Sequence, residues 1–262
     1  MWLYTTPVAI ALPVFVVVLV ALSLLVVIAL RRWVPRSADR AGEWDRVLGY
    51  VMAVYAVLYG VTLALIAAAS YENFRDVEEI VLEETSSVAV LYRNASGLPE
   101  PTKSELQSLI IEYTDHSINV DWPLQADGEI PSHTVRVITT IQEILFSFEP
   151  ADESESNLHL SAIGALNDLV ADRGARIGVT GLALPGILWF VLSIGALLNA
   201  VLIGLVEVGR LRTHLIMSAV IAAYVAVVIF AIASFDHVYM GPVSVGPGFF
   251  EELREWLFTD PG

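Results

Sequence analysis

The chain has 262 residues, 56% of them hydrophobic, and contains no cysteine. Soluble domains are closer to about 45–50% apolar, so this composition favours a membrane protein, and the lack of thiols excludes disulfides and cysteine-based metal sites. The net charge of −15 makes nucleic acid and anionic headgroups unfavourable partners.

Four apolar runs are long enough to cross a bilayer, which takes roughly 20 residues. They cover residues 8–30, 47–70, 182–206 and 215–235, and none has Asp, Glu, Lys or Arg in its interior. We therefore predict an all-α membrane protein with four transmembrane helices and a helical extramembrane domain, residues 71–180, inserted between spans two and three. Residues 236–262 then form a C-terminal tail.

The arginines are distributed unevenly between the two sides of these runs. Residues 31–46 contain five, and the short loop between the third and fourth runs adds Arg210 and Arg212. Only four flank the opposite side: Arg75, Arg173, Arg176 and Arg254. Because positive charge in short loops marks the cytoplasmic side, we expect a multi-pass cell-membrane protein whose acidic domain and both termini are extracytoplasmic.

The domain begins without a helix breaker after the second run. Apolar residues recur there at helical spacing, namely Phe74, Val77, Val81, Val88 and Leu91. This stripe predicts one helix from residue 47 to about residue 94. Residues 72–180 carry 20 acidic and 6 basic side chains, so the domain accounts for −14 of the net charge.

Three further helices are predicted in the domain. The first starts at a capping box, Thr102 to Glu105, and ends at Trp122-Pro123; its apolar face is Leu106, Leu109, Ile110, Tyr113 and Val120. After a loop at residues 125–131, the second covers residues 132–148, with Val135, Ile138, Ile141 and Leu145 inward. The third covers residues 156–177, with Leu158, Ile163, Leu166 and Val170 inward.

Short motifs along residues 31–257 resemble a known group of prokaryotic four-span membrane proteins, the bestrophin-like domain of unknown function. They are Pro35-Arg36, residues 55–58, 72–78, 91–93, 98–101, Asp121-Trp122-Pro123, residues 172–176, 184–189 and 243–245, Phe249 or Phe250, and Leu253. One departure is Asp236-His237-Val238, where the resemblance implies Asp-Arg-Pro. The name implies a relation to bestrophins, which are oligomeric anion channels.

No motif for enzymatic chemistry is present. The five histidines are scattered, no two of them lie four positions apart as in a zinc-hydrolase helix, and no phosphate-binding loop or nucleophile elbow occurs. We therefore expect that the protein is not an enzyme and has no cofactor and no metal site. Asn94-Ala95-Ser96 matches a glycosylation sequon, for which chance occurrence is the favoured explanation.

Two functions stay open: an oligomeric ion channel or pore, and a non-conducting sensor or scaffold whose acidic domain binds a partner. The candidates for pore lining or for helix packing are Tyr55, Tyr59, Thr62, Ser193 and Asn199. Four carboxylates at spacings of four, three and four form a candidate acidic vestibule: Glu72, Asp76, Glu79 and Glu83. A solvated surface is the alternative for these four. We also expect a homo-oligomer, because the long helix must cover its apolar stripe.

Overall fold

The computed structural model describes residues 6–33, 41–241 and 243–259. These residues form nine α-helices and one π-helical turn, and none of them is in a strand. The helices are α1 (Val8–Trp33), α2 (Ala41–Ser96), α3 (Thr102–His116), the π-helix (Ser117–Asp121), α4 (Trp122–Ala126), α5 (His133–Ser147), α6 (Glu153–Gly178), α7 (Gly186–Leu205), α8 (Leu211–Asp236) and α9 (Gly248–Thr259). The chain divides into two compact units, residues 1–72 with 183–236 and residues 73–182 with 237–262.

The first unit contains helices that are long and apolar enough to cross a membrane. They are α1, the first part of α2, α7 and α8. Tyr59, Leu63 and Ile66 of α2 pack in one cluster with apolar residues of α7 and α8. Gly204 allows α7 to approach α1 closely, since a Cβ there would lie 3.3 Å from the Val27 Cα.

Helix α2 is unbroken over 56 residues, which confirms the long helix predicted from the apolar stripe. Val77, Val81, Val88 and Leu91 are buried in the core of the second unit, and Phe74 packs against it. The arginine-rich loop before α2 falls partly on residues 34–40, which lie outside the described residues.

The second unit is a helical domain built from α3 to α6, α9 and the later part of α2. Its core includes Leu106, Tyr113, Ile141, Leu169 and Phe250. Phe250 belongs to α9, so the tail after residue 236 contributes a helix to this core. The sequence placed that segment apart from the domain.

The capping box predicted at Thr102 is absent. Pro101 is the N-cap residue and forms no side-chain cap hydrogen bond. Instead the Glu100 carboxylate accepts a hydrogen bond from the Ser104 amide at 3.2 Å. Hydrogen bonds from the side chain and the backbone amide of Ser104 hold the pKa of Glu100 below its ordinary value. The carboxylate therefore serves the first turn of α3, so the prediction was wrong about the capping side chain.

The predicted end of this helix at Trp122-Pro123 was also wrong. The chain passes from α3 through the π-helix into α4, and Pro123 lies in the first turn of α4. A proline is tolerated there because the amides of a first turn lack helical acceptors anyway. Gln125 is consequently helical, and the predicted loop begins only after Ala126.

Two residues predicted to face inward point outward. Val135 of α5 is 47% exposed and Val170 of α6 is 46% exposed, whereas Val137 and Leu169 are buried. The other inward residues of α5, Ile138, Ile141 and Leu145, are buried as predicted. The sequon residue Asn94 lies within α2 and donates a hydrogen bond to the Ser161 hydroxyl at 3.0 Å.

Candidate functional site

The face of α2 that is exposed in the single chain is the first candidate site. Its apolar stripe, defined here as Val54, Leu58, Val61 and Leu65, is 54–66% exposed. These residues are spaced by four, three and four positions, which places them on one side of a helix. A single chain leaves them open to lipid or to another copy.

The acidic residues predicted to form a vestibule continue along the same helix. This acidic stripe, Glu72, Asp76, Glu79 and Glu83, repeats the spacing of four, three and four, and all four residues are exposed. From Glu72 to Glu83 the helix rises about 16 Å. The structure thus places four carboxylates in a row on α2 after an apolar stretch.

Tyr55 and Tyr59 lie beside this face and bind to α7. The Tyr55 hydroxyl donates to the Gly195 carbonyl oxygen, and the Tyr59 hydroxyl donates to the Leu192 carbonyl oxygen at 3.0 Å. The two rings stack with their centroids 5.5 Å apart. This close approach depends on Gly195, because a Cβ there would lie 2.0 Å from the Tyr59 ring.

The remaining polar candidates do not join these two tyrosines. Thr62 donates to the Leu58 carbonyl oxygen of its own helix at 2.8 Å. Ser193 and Asn199 line a cavity between α1, α7 and α8. The five residues proposed for a pore or for packing therefore do not form one continuous polar surface.

A buried polar cluster in the second unit was missed at the sequence level. Arg176 of α6 forms an ion pair with Glu84 of α2, and both side chains are fully buried. The same guanidinium donates to Gln125 and reaches Asp121 at 3.5 Å. Tyr113 donates to the other oxygen of Glu84.

A second arginine completes the charge balance of this buried polar cluster. Arg173 donates to the Thr134 hydroxyl at 2.8 Å, and Thr134 donates to Asp121 at 2.8 Å. Two buried arginines therefore face two buried carboxylates. Buried charges are tolerated when they are paired in this way.

The cluster shifts the protonation equilibria of its members. Burial lowers the pKa of Arg176, but Glu84 and the other partners outweigh it and raise that pKa above its ordinary value. Burial, and then the Glu84 charge, raise the pKa of Tyr113 well above 10.0. Burial likewise raises the pKa of Tyr239, whose hydroxyl donates to the Arg176 carbonyl oxygen at 3.3 Å.

Aromatic residues enclose the Arg176 guanidinium. Its central carbon lies 4.7 Å from the Trp122 ring centroid and 5.9 Å from that of Phe250. The Trp122 indole donates to the Val245 carbonyl oxygen at 3.1 Å. Four short motifs from distant parts of the sequence therefore meet here, namely those at residues 121–123, 172–176, 243–245 and 249–250.

Asp236, at the departure from the Asp-Arg-Pro pattern, has a clear local role. Its carboxylate accepts hydrogen bonds from the Leu184 amide at 2.5 Å and from the Trp189 indole at 3.2 Å. Leu184 lies two residues before α7 and Trp189 lies in its first turn, and the motif at residues 184–189 covers both. The aspartate therefore holds the segment through which the chain enters α7.

The sequence profile of the Bestrophin-like domain matches residues 17–250. The chain belongs to this family. A search of curated protein sequences gives no match.

Solved structures of bestrophin homologues share its fold. A mutant of a bacterial bestrophin homologue from Klebsiella pneumoniae has a TM-score of 0.68 at 12% identity, covering 94% of this chain and 99% of that chain. The homologue from Klebsiella pneumoniae solved by Zn-SAD phasing has a TM-score of 0.67 at 13% identity, covering 94% and 96%. A crystal structure of a membrane protein variant has a TM-score of 0.68 at 12% identity, covering 95% and 97%.

Proposed function

We propose that this protein is an oligomeric ion channel in which α2 from each subunit surrounds a central axis. The observation that carries the proposal is the exposed face of α2, where an apolar stripe is followed by an acidic stripe in the same spacing. The described residues of one subunit enclose no conduit along this face, so the proposal needs several copies. Membership in the Bestrophin-like family supports it, because bestrophins are oligomeric anion channels.

In this proposal the apolar stripe forms the narrow part of the conduit. Val54, Leu58, Val61 and Leu65 offer only hydrocarbon to a passing ion. Rings of such side chains gate channels by excluding water when they are close together. Tyr55 and Tyr59 hold α2 against α7 on the adjacent side, so they position the stripe within each subunit.

The acidic stripe forms a vestibule wall at one mouth of this conduit. Each subunit adds four carboxylates, and rings of negative charge concentrate cations and repel anions. We therefore propose a preference for cations, although the family name refers to anion channels. Mobile ions are the proposed partners, and neither a cofactor nor an enzymatic activity belongs to the proposal.

We further propose a multi-pass location in the cell membrane, with the acidic domain and both termini outside the cytoplasm. Arg31, Arg32 and Arg210 to Arg212 support this orientation, since they flank the same side of the four spans.

The alternative is a non-conducting sensor or scaffold whose acidic domain binds a partner. One observation favours this alternative. The hydroxyls of Tyr55, Tyr59 and Thr62 all donate hydrogen bonds within one subunit. These residues then leave little polar surface for a conduit on α2.

The oligomeric state and the position of α2 within the oligomer distinguish the two proposals. A structure of the complex purified in a mild detergent should have a central symmetry axis with α2 of every copy facing it. A particle mass equal to one 28.6 kDa chain, or an oligomer with α2 on its outside, would exclude the channel and leave the scaffold.

A further inference from the structure

A cavity in the first unit lies apart from the face of α2. It has a volume of about 390 Å³ and is lined by residues of α1, α7 and α8. This volume falls within the range of about 300–1,000 Å³ found for small-molecule sites. Its wall is mainly hydrocarbon, from residues such as Leu19, Leu22, Val26, Ala196, Ala222 and Val225.

The wall of this cavity carries a hydroxyl whose hydrogen bonding is incomplete. Ser23 Oγ of α1 is buried and has no hydrogen-bond partner within the described residues. Serines in helices commonly bond to the carbonyl four residues earlier. Ser218 and Ser234 of α8 do so, at 2.7 and 2.9 Å. Ser23 therefore differs from its neighbours in the bundle and has its hydroxyl available for a ligand.

Two further polar side chains reach the same cavity. Ser193 and Asn199 of α7 add a hydroxyl and a carboxamide to its lining. No Asp, Glu, Lys or Arg is among the residues that line it. An apolar cavity with a few polar groups is the usual design of a site for a small amphipathic molecule.

We propose that this cavity binds an apolar molecule of the bilayer that carries one hydroxyl or carbonyl group. The hydrocarbon body matches the Leu, Val and Ala lining, and the single polar group satisfies Ser23. A charged lipid headgroup lacks a counter-charge in this lining. The proposal does not depend on conduction.

Photolabelling of the purified protein in detergent tests it. The probes are a twelve-carbon alcohol and the matching alkane, each with a diazirine, and labelled peptides are located by mass spectrometry. We expect the alcohol to label α1, α7 and α8 around the cavity, with competition from unlabelled 1-dodecanol. Ser23→Ala should reduce alcohol labelling about threefold to tenfold, as expected for one hydrogen bond, and should leave alkane labelling unchanged.

A substitution that fills the cavity provides a second test of the proposal. Ala196→Phe should abolish labelling by both probes, whereas Leu198→Phe, on a 46% exposed position of the same helix outside the cavity, should have no effect. Equal labelling of the whole bilayer-facing surface would overturn the proposal. An unchanged signal in Ser23→Ala, or labelling that appears only after the oligomer dissociates because a second copy fills the cavity, would overturn it as well.

Discussion

Arg176 and Glu84 form an ion pair in which neither side chain has any exposed surface. The two residues are 92 positions apart in the sequence, on α6 and α2. The pair joins the later part of α2 to α6 within the second unit. Breaking it would leave an uncompensated charge in the interior of the domain.

Neutralising Glu84 should destabilise the protein strongly. In Glu84→Gln the Arg176 guanidinium loses its closest counter-charge, and breaking a buried pair costs about 3 kcal/mol or more. The matched control is Glu83→Gln, because Glu83 is the adjacent residue and is exposed; an exposed change of this kind stays within about 0.5 kcal/mol. Thermal unfolding followed by circular dichroism compares the two. Equal midpoints would show that the pair contributes nothing.

The buried tyrosine of the cluster predicts a loss of stability at alkaline pH. The pKa of Tyr113 is raised well above 10.0 in the folded state. Folding therefore favours the protonated phenol, and its contribution is complete below pH 10 and declines as the pH rises above that value. The slope approaches about 1.4 kcal/mol per pH unit for one proton. Tyr113→Phe should be less stable at neutral pH, and its stability should fall less between pH 10 and 11. Parallel curves for the two proteins would contradict this.

Gly195 should tolerate no side chain. A Cβ at this position would lie 2.0 Å from the Tyr59 ring, so Gly195→Ala must push α2 away from α7. Overpacking of this kind costs about 1–3 kcal/mol. Gly164→Ala on α6 is the control, because nothing lies within 4 Å of its Cβ and alanine favours the helix by up to about 1 kcal/mol. Opposite shifts of the unfolding midpoint are expected, and a stabilised Gly195→Ala would be inconsistent with the Tyr59 contact.

The orientation is open to chemical labelling, since the chain has no native cysteine. We expect a cysteine in place of Ser132, an exposed residue of the domain, to react with an impermeant thiol reagent on intact cells. A cysteine in place of Ser37, in the arginine-rich loop, should react only after the membrane is permeabilised. The reverse pattern would place the acidic domain in the cytoplasm.

The sequence predicted the helices well because their signals are local. The apolar residues spaced along positions 74–91 predicted the long helix α2. The periodicity of apolar residues predicted the ends of α5 and α6 to within three residues. It failed where local and tertiary signals compete. Trp122-Pro123 has the composition of a helix end, yet the Trp122 indole is fixed by Val245 and its ring by Arg176.

The buried polar cluster could not be predicted from the sequence for a related reason. Glu84 is one of several glutamates on an acidic stretch of helix, and only the packing of α3 and α6 separates it from Glu83. One signal was present: Glu84 lies between Val77-Val81 and Val88-Leu91 on the apolar stripe, at the position where a hydrophobic residue was due. A charged residue within such a stripe indicates a buried partner of opposite charge.

The exposed α2 face was predicted only in its acidic part. The four carboxylates were visible from their spacing, but the matching apolar stripe at Val54 to Leu65 was hidden in a span that is apolar on all sides. Which of those side chains face α7 depends on Gly195 and the two tyrosines, and only the folded chain reveals that contact.

The most direct test of the channel is a reversal potential in planar bilayers with a tenfold KCl gradient. We predict a shift toward the potassium equilibrium potential, whose limit is about 59 mV. Neutralising the acidic stripe, by Glu72→Gln, Asp76→Asn, Glu79→Gln and Glu83→Gln, should move it toward zero. The control changes the net charge equally at four exposed glutamates elsewhere and should leave the reversal potential unaltered. These glutamates are Glu105, Glu112, Glu143 and Glu149. A chloride-selective potential in the wild type, unaffected by the first set, would contradict the account.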